Sequence, residues 1–316
     1  MFAHSFPFDP THGYGLEDLL AVSGPPPPPD FEDFWRARWR GAVARDPRPR
    51  LAPSPLDHPD WLVQDITYES TGGFLIGGWL LTPRHRPVVR GLVIGHGYGG
   101  RDGPDFDLPL TDAAALFLCF RGLSRSARPG ISTDPQWHVL HDIDKRGDYI
   151  LGGCVEDLWL AVSALEVLFP RVSGRIGYLG VSFGGGIGAL AIAWDARIRR
   201  GALVVPTFGH HPLRLTLPST GSAAAVQAYH RGHPGVVETL AYFDAAIAAG
   251  FITVPMLVAA ALFDPCVAPP GQFAIFNAIP ECKTLFTLSA GHFEYSGQKR
   301  QDADLGHIQE SFFAPL

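Results

Sequence analysis

The stretch RIGYLGVSFGGGIGALAIAW, residues 175–194, decides the fold. Arg175–Leu179 reads as a short buried strand and Gly184–Trp194 as an apolar helix, with Gly180-Val181-Ser182-Phe183-Gly184 as the turn between them. Glycine, any residue, serine, any residue, glycine on such a turn is the nucleophile-elbow pattern, in which the backbone strains so that the serine hydroxyl stands clear of the sheet. A Cβ at Gly180 or Gly184 would run into the neighbouring chain, and the helix that follows aims the positive end of its dipole at the serine. With 36 glycines in 316 residues, chance alone gives about 0.2 such matches among the 15 serines. The strand before and the helix after therefore carry the inference against the plainer reading, a glycine-rich helix start with a structural serine.

Working outward, short apolar runs alternate with helical patterns. The expected strands are Gly91–Ile94, Leu116–Phe120, Gly201–Val205, Val254–Leu262 and Lys283–Leu288. The expected helices are Thr111–Ala115, Val155–Leu168, Gly271–Ala278 and Gln298–Phe313. That rhythm predicts a mostly parallel sheet covered on both faces, a three-layer α/β/α sandwich. Upstream, Pro25–Pro29 is a stiff spacer, and Asp30 is expected to cap a helix carrying Phe31, Phe34, Trp35 and Trp39 on one face. A proline-rich crossing loop runs to about Pro59, and Leu62–Ser70 and Phe74–Thr82 read as an antiparallel hairpin. Residues 1–316 are taken as one domain, with 1–82 an N-terminal arm, helix and hairpin. Residues 206–250, which lack a strand pattern, read as a lid-like or interface insertion.

A serine hydroxyl needs a base, and the base needs an acid to orient it. After an elbow the chain order is serine, acid, histidine. Asp264 follows the run Val254–Leu262 and His292 follows Lys283–Leu288, so both fall at the ends of strands. A turn-capping aspartate and a surface-loop histidine are the plainer readings of each alone. Two donors for a developing oxyanion are expected from the backbone N–H groups of Phe183 and of Tyr98, the latter in Gly95-His96-Gly97-Tyr98-Gly99-Gly100. His96 reads as a pin for that loop. Such a base must be neutral, so activity is expected to fall below about pH 6.5.

Other signals are weaker. Gly95, Gly97 and Gly100 fit a dinucleotide fingerprint, but Pro104 and several acids follow where a helix is required. His138/His141 and His230/His233 have the spacing of metal-ligand pairs without a third ligand nearby. A net charge of −6, without a long run of one sign, argues against a nucleic-acid partner. A content of 46% hydrophobic and 18% charged residues excludes disorder, and no apolar run is long enough for a membrane span. The N-terminus carries no signal-peptide pattern. Cys119, Cys154, Cys266 and Cys282 are widely spaced and read as reduced thiols, so a cytoplasmic protein is expected.

Several stretches together resemble one family. They are DFEDFW from Asp30, GHGYGGRDG from Gly95, the arginine-glycine of FRGLS at Phe120–Ser124, and GVSFGGG at Gly180–Gly186. LAYFDAA at Leu240–Ala246, DPCVAPPGQFAIFNAI from Asp264 and AGHFE at Ala290–Glu294 complete the set. From about Pro28 onward the chain resembles the acetyl xylan esterase/cephalosporin-C deacetylase family, carbohydrate esterase family seven, of the α/β-hydrolase superfamily. The resemblance implies an α/β-hydrolase fold with an N-terminal helix–hairpin extension. It implies Ser182, Asp264 and His292 as a triad with Tyr98 and Phe183 as oxyanion donors. It also implies deacetylation of small substrates and assembly as a homo-oligomer, in the family a hexamer. The chain departs from the family pattern at Leu123, Phe183 and Phe293, where polar residues are usual. Those three changes suggest a drift toward more hydrophobic small esters.

The reading is a serine esterase that hydrolyses small acyl esters, acetyl above all, through an acyl-enzyme. Its partner is a small-molecule ester, and the chemistry calls for no cofactor or metal. A peptidase or amidase of the same fold, and a hydrolase-fold binding protein without activity, are the alternatives.

Overall fold

A computed structural model describes residues 2–280 and 282–316. Nine strands form one sheet: β1 (Arg50–Pro53), β2 (Trp61–Glu69), β3 (Leu75–Pro83), β4 (Arg90–Gly95), β5 (Ala113–Leu118), β6 (Ile176–Val181), β7 (Ile198–Val204), β8 (Met256–Ala261) and β9 (Lys283–Leu288). Their spatial order is β1-β2-β3-β5-β4-β6-β7-β8-β9. Pairing is antiparallel from β1 to β5 and parallel from β5 through β4 to β9. The expected hairpin is β2 and β3, in register at Ile66 and Gly78.

Eleven helices complete the described residues: α1 (Leu16–Leu20), α2 (Phe31–Val43), α3 (Pro135–His138), α4 (Ile150–Leu168), α5 (Phe183–Ile192), α6 (His211–Arg214), α7 (Gly221–Gly232), α8 (Val236–Leu240), α9 (Ala245–Ala249), α10 (Pro269–Ala278) and α11 (Gln298–Phe313). Strand alternation feeds two cores. Met256, Val258 and Ala260 of β8 join the larger core with α4, α5, α9 and α10, while Leu257, Ala259 and Ala261 face the smaller one closed by Leu305 and Phe313 of α11. A continuous apolar strand is what burial on both faces requires. Among the described residues no helix is long and apolar enough to cross a membrane.

Four local expectations change. Thr111–Ala115 is not a helix, because Ala113–Ala115 open β5, buried along its whole length. The alanine run suggested helix, but pairing with β3 and β4 outweighs intrinsic propensity. The proline-rich loop holds a strand, β1, paired with β2 from Arg50 opposite Thr67 to Pro53 opposite Gln64. At the sheet edge a proline need not donate to a ladder. Helix α4 starts five residues before Val155 and runs through Gly152-Gly153, which are glycine because side chains there would strike the guanidinium groups of Arg38 and Arg121. Asp30 precedes α2 but its carboxylate does not cap it, accepting instead from the Tyr242 hydroxyl and from Arg146 Nη1.

Residues 206–250 pack as part of the body. Helix α9 lies on α5 and α10, α7 lies on α3, and Val226, Leu240 and Phe243 are buried in the larger core.

Candidate active site

Ser182 sits between β6 and α5 with φ 51° and ψ −107°, a strained conformation for a residue with a side chain. Neighbours hold it there. Its N–H donates to the Val204 carbonyl (2.8 Å), and its carbonyl accepts from Thr207 N–H (3.1 Å) and Gly186 N–H (3.0 Å). The flanking glycines are obligatory: a Cβ on Gly180 would stand 2.5 Å from the Gly184 carbonyl oxygen, and one on Gly184 2.7 Å from the Gly95 carbonyl carbon.

His292 Nε2 lies 2.9 Å from Ser182 Oγ, and Nδ1 lies 2.8 Å from Asp264 Oδ2. The three expected side chains are thus brought into one hydrogen-bonded line. Asp264 is fully buried, so its lone pairs must find donors. Oδ1 accepts the N–H groups of Cys266 and Val267, both at 2.9 Å, and Oδ2 accepts Gln272 Nε2 at 3.0 Å beside the imidazole. Gly291 has to be glycine, since a Cβ there would collide with Asp264 Oδ2. Burial pulls the His292 pKa down, but the charge of Asp264 and the hydrogen bond to it outweigh that and hold the imidazole above its ordinary 6.5. The acid limb of any activity that needs neutral His292 therefore moves above the value expected from sequence.

The loop after β4 passes close to Ser182, with a Cβ built on Gly97 reaching to 3.9 Å from Ser182 Cβ. Tyr98 N–H and Phe183 N–H, the two expected oxyanion donors, make no hydrogen bond among the described residues. His96 pins the loop as expected. Its Nδ1–H donates to the Gly97 carbonyl (2.6 Å), its Nε2 accepts Phe120 N–H (3.1 Å), and burial lowers its pKa to about 4, so it stays neutral. The loop runs on from Gly100 without a helix, unlike a dinucleotide site.

Three supports escaped the sequence reading. Gln272 is the first, bonding Asp264 while its Oε1 accepts Ala261 N–H; a lone glutamine in the apolar run of α10 was the available signal. The second is a chain behind Tyr98. Its hydroxyl donates to His138 Nδ1 (3.0 Å), and His138 Nε2–H donates to the Arg121 carbonyl (2.9 Å). Arg121 is locked in turn by a buried ion pair with Asp157 (2.6 Å). Burial lowers His138 to about 4, and with both nitrogens engaged it is a neutral strut. The third is the N-terminal arm, whose alternate residues Phe2, His4 and Phe6 pack on Phe263 and Phe293, the neighbours of Asp264 and His292. The arm's Pro10 carbonyl accepts Asp264 N–H (3.2 Å).

Two of the departures from the family pattern face inward. Leu123 and Phe183 are at most 1% exposed. The Phe183 ring lies 4.1 Å from Tyr98, with Phe120 and Phe208 edge-on at 5.2 and 5.8 Å. Phe293 is covered by Phe2 and Phe6. Buried side chains do not touch a substrate, so the changes at Leu123 and Phe183 give no ground for a shift toward hydrophobic esters, while Phe293 is half-buried beside His292.

Comparison with known proteins agrees with this architecture. The acetyl xylan esterase (AXE1) family pattern matches residues 15–310. The acetyl xylan esterase 1 of Thermoanaerobacterium sp. JW/SL YS485 superposes with a TM-score of 0.80 over 96% of this chain and 99% of that one, at 20% identity. The acetyl xylan esterase of Paenibacillus sp. R4 gives 0.78 over 95% and 100%, at 22% identity. The acylaminoacyl peptidase of Pyrococcus horikoshii gives 0.61 over 81% of this chain but 42% of that one, at 14% identity. The structural likenesses establish the α/β-hydrolase fold, and from the family match over nearly its whole length the chain belongs to the acetyl xylan esterase family of carboxylic ester hydrolases.

Proposed function

We propose that this protein hydrolyses small acyl esters, acetyl esters foremost, through a covalent acyl-serine at Ser182. The single observation that carries the reading is the line of contacts from Ser182 Oγ through His292 to Asp264, at 2.9 and 2.8 Å. With Nδ1–H donating to Asp264, Nε2 keeps its lone pair and accepts the Ser182 hydroxyl.

In this scheme Ser182 Oγ attacks the ester carbonyl carbon while its proton passes to His292 Nε2. The carbonyl oxygen becomes an oxyanion, for which the free N–H groups of Phe183 and Tyr98 are the donors. Asp264 stabilises the imidazolium. Collapse breaks the bond to the alcohol oxygen, which takes the proton from His292 and leaves. A water then gives its proton to His292 and attacks the acyl carbon, releasing the carboxylic acid and returning the proton to Ser182. Acetylated sugars are the substrate class that the family's name suggests, and self-assembly belongs to the same reading; native mass against the 34.2 kDa of one chain measures it.

Ser182→Ala tests the scheme. It is expected to lower kcat on p-nitrophenyl acetate by several orders of magnitude, on the order of 10⁴ or more, with an unchanged melting curve. An alanine variant that keeps wild-type kcat refutes it. An aminoacyl-amide substrate run alongside discriminates amidase activity.

A further inference from the structure

Arg214, the last residue of α6, is only 6% exposed, yet its Nε, Nη1 and Nη2 find no acceptor among the described residues. A guanidinium stays ionised at any working pH, and arginine is seldom buried unless paired. None of the polar groups that act on its charge accepts a hydrogen bond from it. The Tyr98 hydroxyl donates to His138 and the Tyr149 hydroxyl to the Val139 carbonyl. Asp244, the nearby carboxylate, is taken by the N–H groups of His210, His211 and Ala246. The face of Phe208, 5.2 Å from the guanidinium carbon, compensates part of the charge. Burial pulls Arg214 below the ordinary guanidinium value, and Tyr149, Tyr98 and Asp244 offset that only in part.

Arg214 lines a small enclosed cavity with Phe208, Gly209, Leu217, Val267 and Gly271. Its volume of about 10 Å³ suits one water-sized group. The cavity adjoins the candidate catalytic groups on two sides: Val267 N–H donates to Asp264, and Phe208 packs edge-on against Phe183. A water there would satisfy an N–H but leave the charge uncompensated, whereas an anion does both.

We propose that this cavity is a site for a small monovalent anion, either a halide or one oxygen of a carboxylate, held by Arg214. The anion comes from solution or is carried on the ester substrate. The binding half stands apart from the chemistry proposed at Ser182; only the substrate half rests on it.

Melting curves test the first half. Sodium chloride and sodium acetate are titrated against a bulky sulfonate salt at constant ionic strength, for wild type, Ser182→Ala and Arg214→Met. A saturable rise of about 2 °C or more in wild type and Ser182→Ala, absent in Arg214→Met, is expected. If the methionine variant does not fold, Arg214→Lys takes its place, with a weakened rise expected because the charge remains without the planar fork. The second half is read from kcat/KM for the acetyl ester of a 2-hydroxy acid against that of its methyl ester. A ratio that falls about 10-fold or more on losing the guanidinium assigns the anion to the substrate. A melting shift with an unchanged ratio assigns it to solution. No melting response to either salt together with an unchanged ratio overturns the proposal and leaves a water-filled cavity.

Discussion

Replacing Phe183 by glutamine, the residue usual after the nucleophile in this family, tests the reading of the aromatic box. The ring is wholly buried, and its removal forfeits part of the roughly 1.5–3 kcal/mol that full burial of a phenylalanine contributes. The incoming amide finds few partners. Both nitrogens of His96 and of His138 are already bonded, and the Tyr98 hydroxyl proton points at His138, leaving only its oxygen to accept. An unpaired buried polar group costs a further 1–3 kcal/mol or so. Together these predict a loss of about 2–5 kcal/mol, roughly 3–8 °C in Tm for a chain of this size. Activity is expected to fall as well. The Tyr98 ring loses a partner 4.1 Å away, and the N–H meant for the oxyanion is on the same residue. Losing such a donor outright costs about 10²–10³ in kcat, so a loosened one is expected to cost about 10-fold. Thermal unfolding and p-nitrophenyl acetate turnover read the two effects, with Phe183→Leu as the apolar control falling between. A glutamine variant within about 1 °C and 2-fold of wild type refutes the reasoning.

Further outcomes follow from the same contacts. Because Asp264 holds His292 above 6.5, kcat/KM in wild type rises with pH through a midpoint above that value; Asp264→Asn moves the midpoint down and lowers kcat by about 10³–10⁴, and an unmoved midpoint contradicts the assignment. Gly184→Ala places a methyl 2.7 Å from the Gly95 carbonyl carbon and is expected to cost about 3 kcal/mol in urea denaturation, whereas no loss refutes the close approach. Gln272→Leu leaves Ala261 N–H and the Val267 carbonyl without their side-chain partner. It is expected to cost about 1–3 kcal/mol and to reduce kcat, and a variant of full stability and activity removes Gln272 from the support of Asp264.

What the sequence made legible is local. The elbow could be read because each glycine answers a collision that any side chain would cause, and those collisions arise within a few residues of the turn. The placement of Asp264 and His292 beside Ser182 could be read because both follow strands whose ends lie at one edge of the sheet. His138 and Gln272 act across 40 and 8 residues of chain, and their roles exist only once the fold sets Tyr98 and Asp264 beside them. Strand β1 was hidden by prolines that an edge position tolerates, and the opening of β5, though not its second half, by alanines whose helical preference lost to burial on both faces. Polarity at Phe183 and Leu123 misled for a related reason: sequence tells what replaced a polar residue, while only coordinates tell which way it faces.

The proposed nucleophile can be trapped directly. An alkyl fluorophosphonate reacts with a serine that a neighbouring base has activated, and tandem mass spectrometry then locates the adduct. One label per chain, on Ser182, gained in step with loss of esterase activity, is the predicted result. An adduct on a different residue, or full labelling of Ser182 in protein that still turns over ester at its original rate, contradicts it.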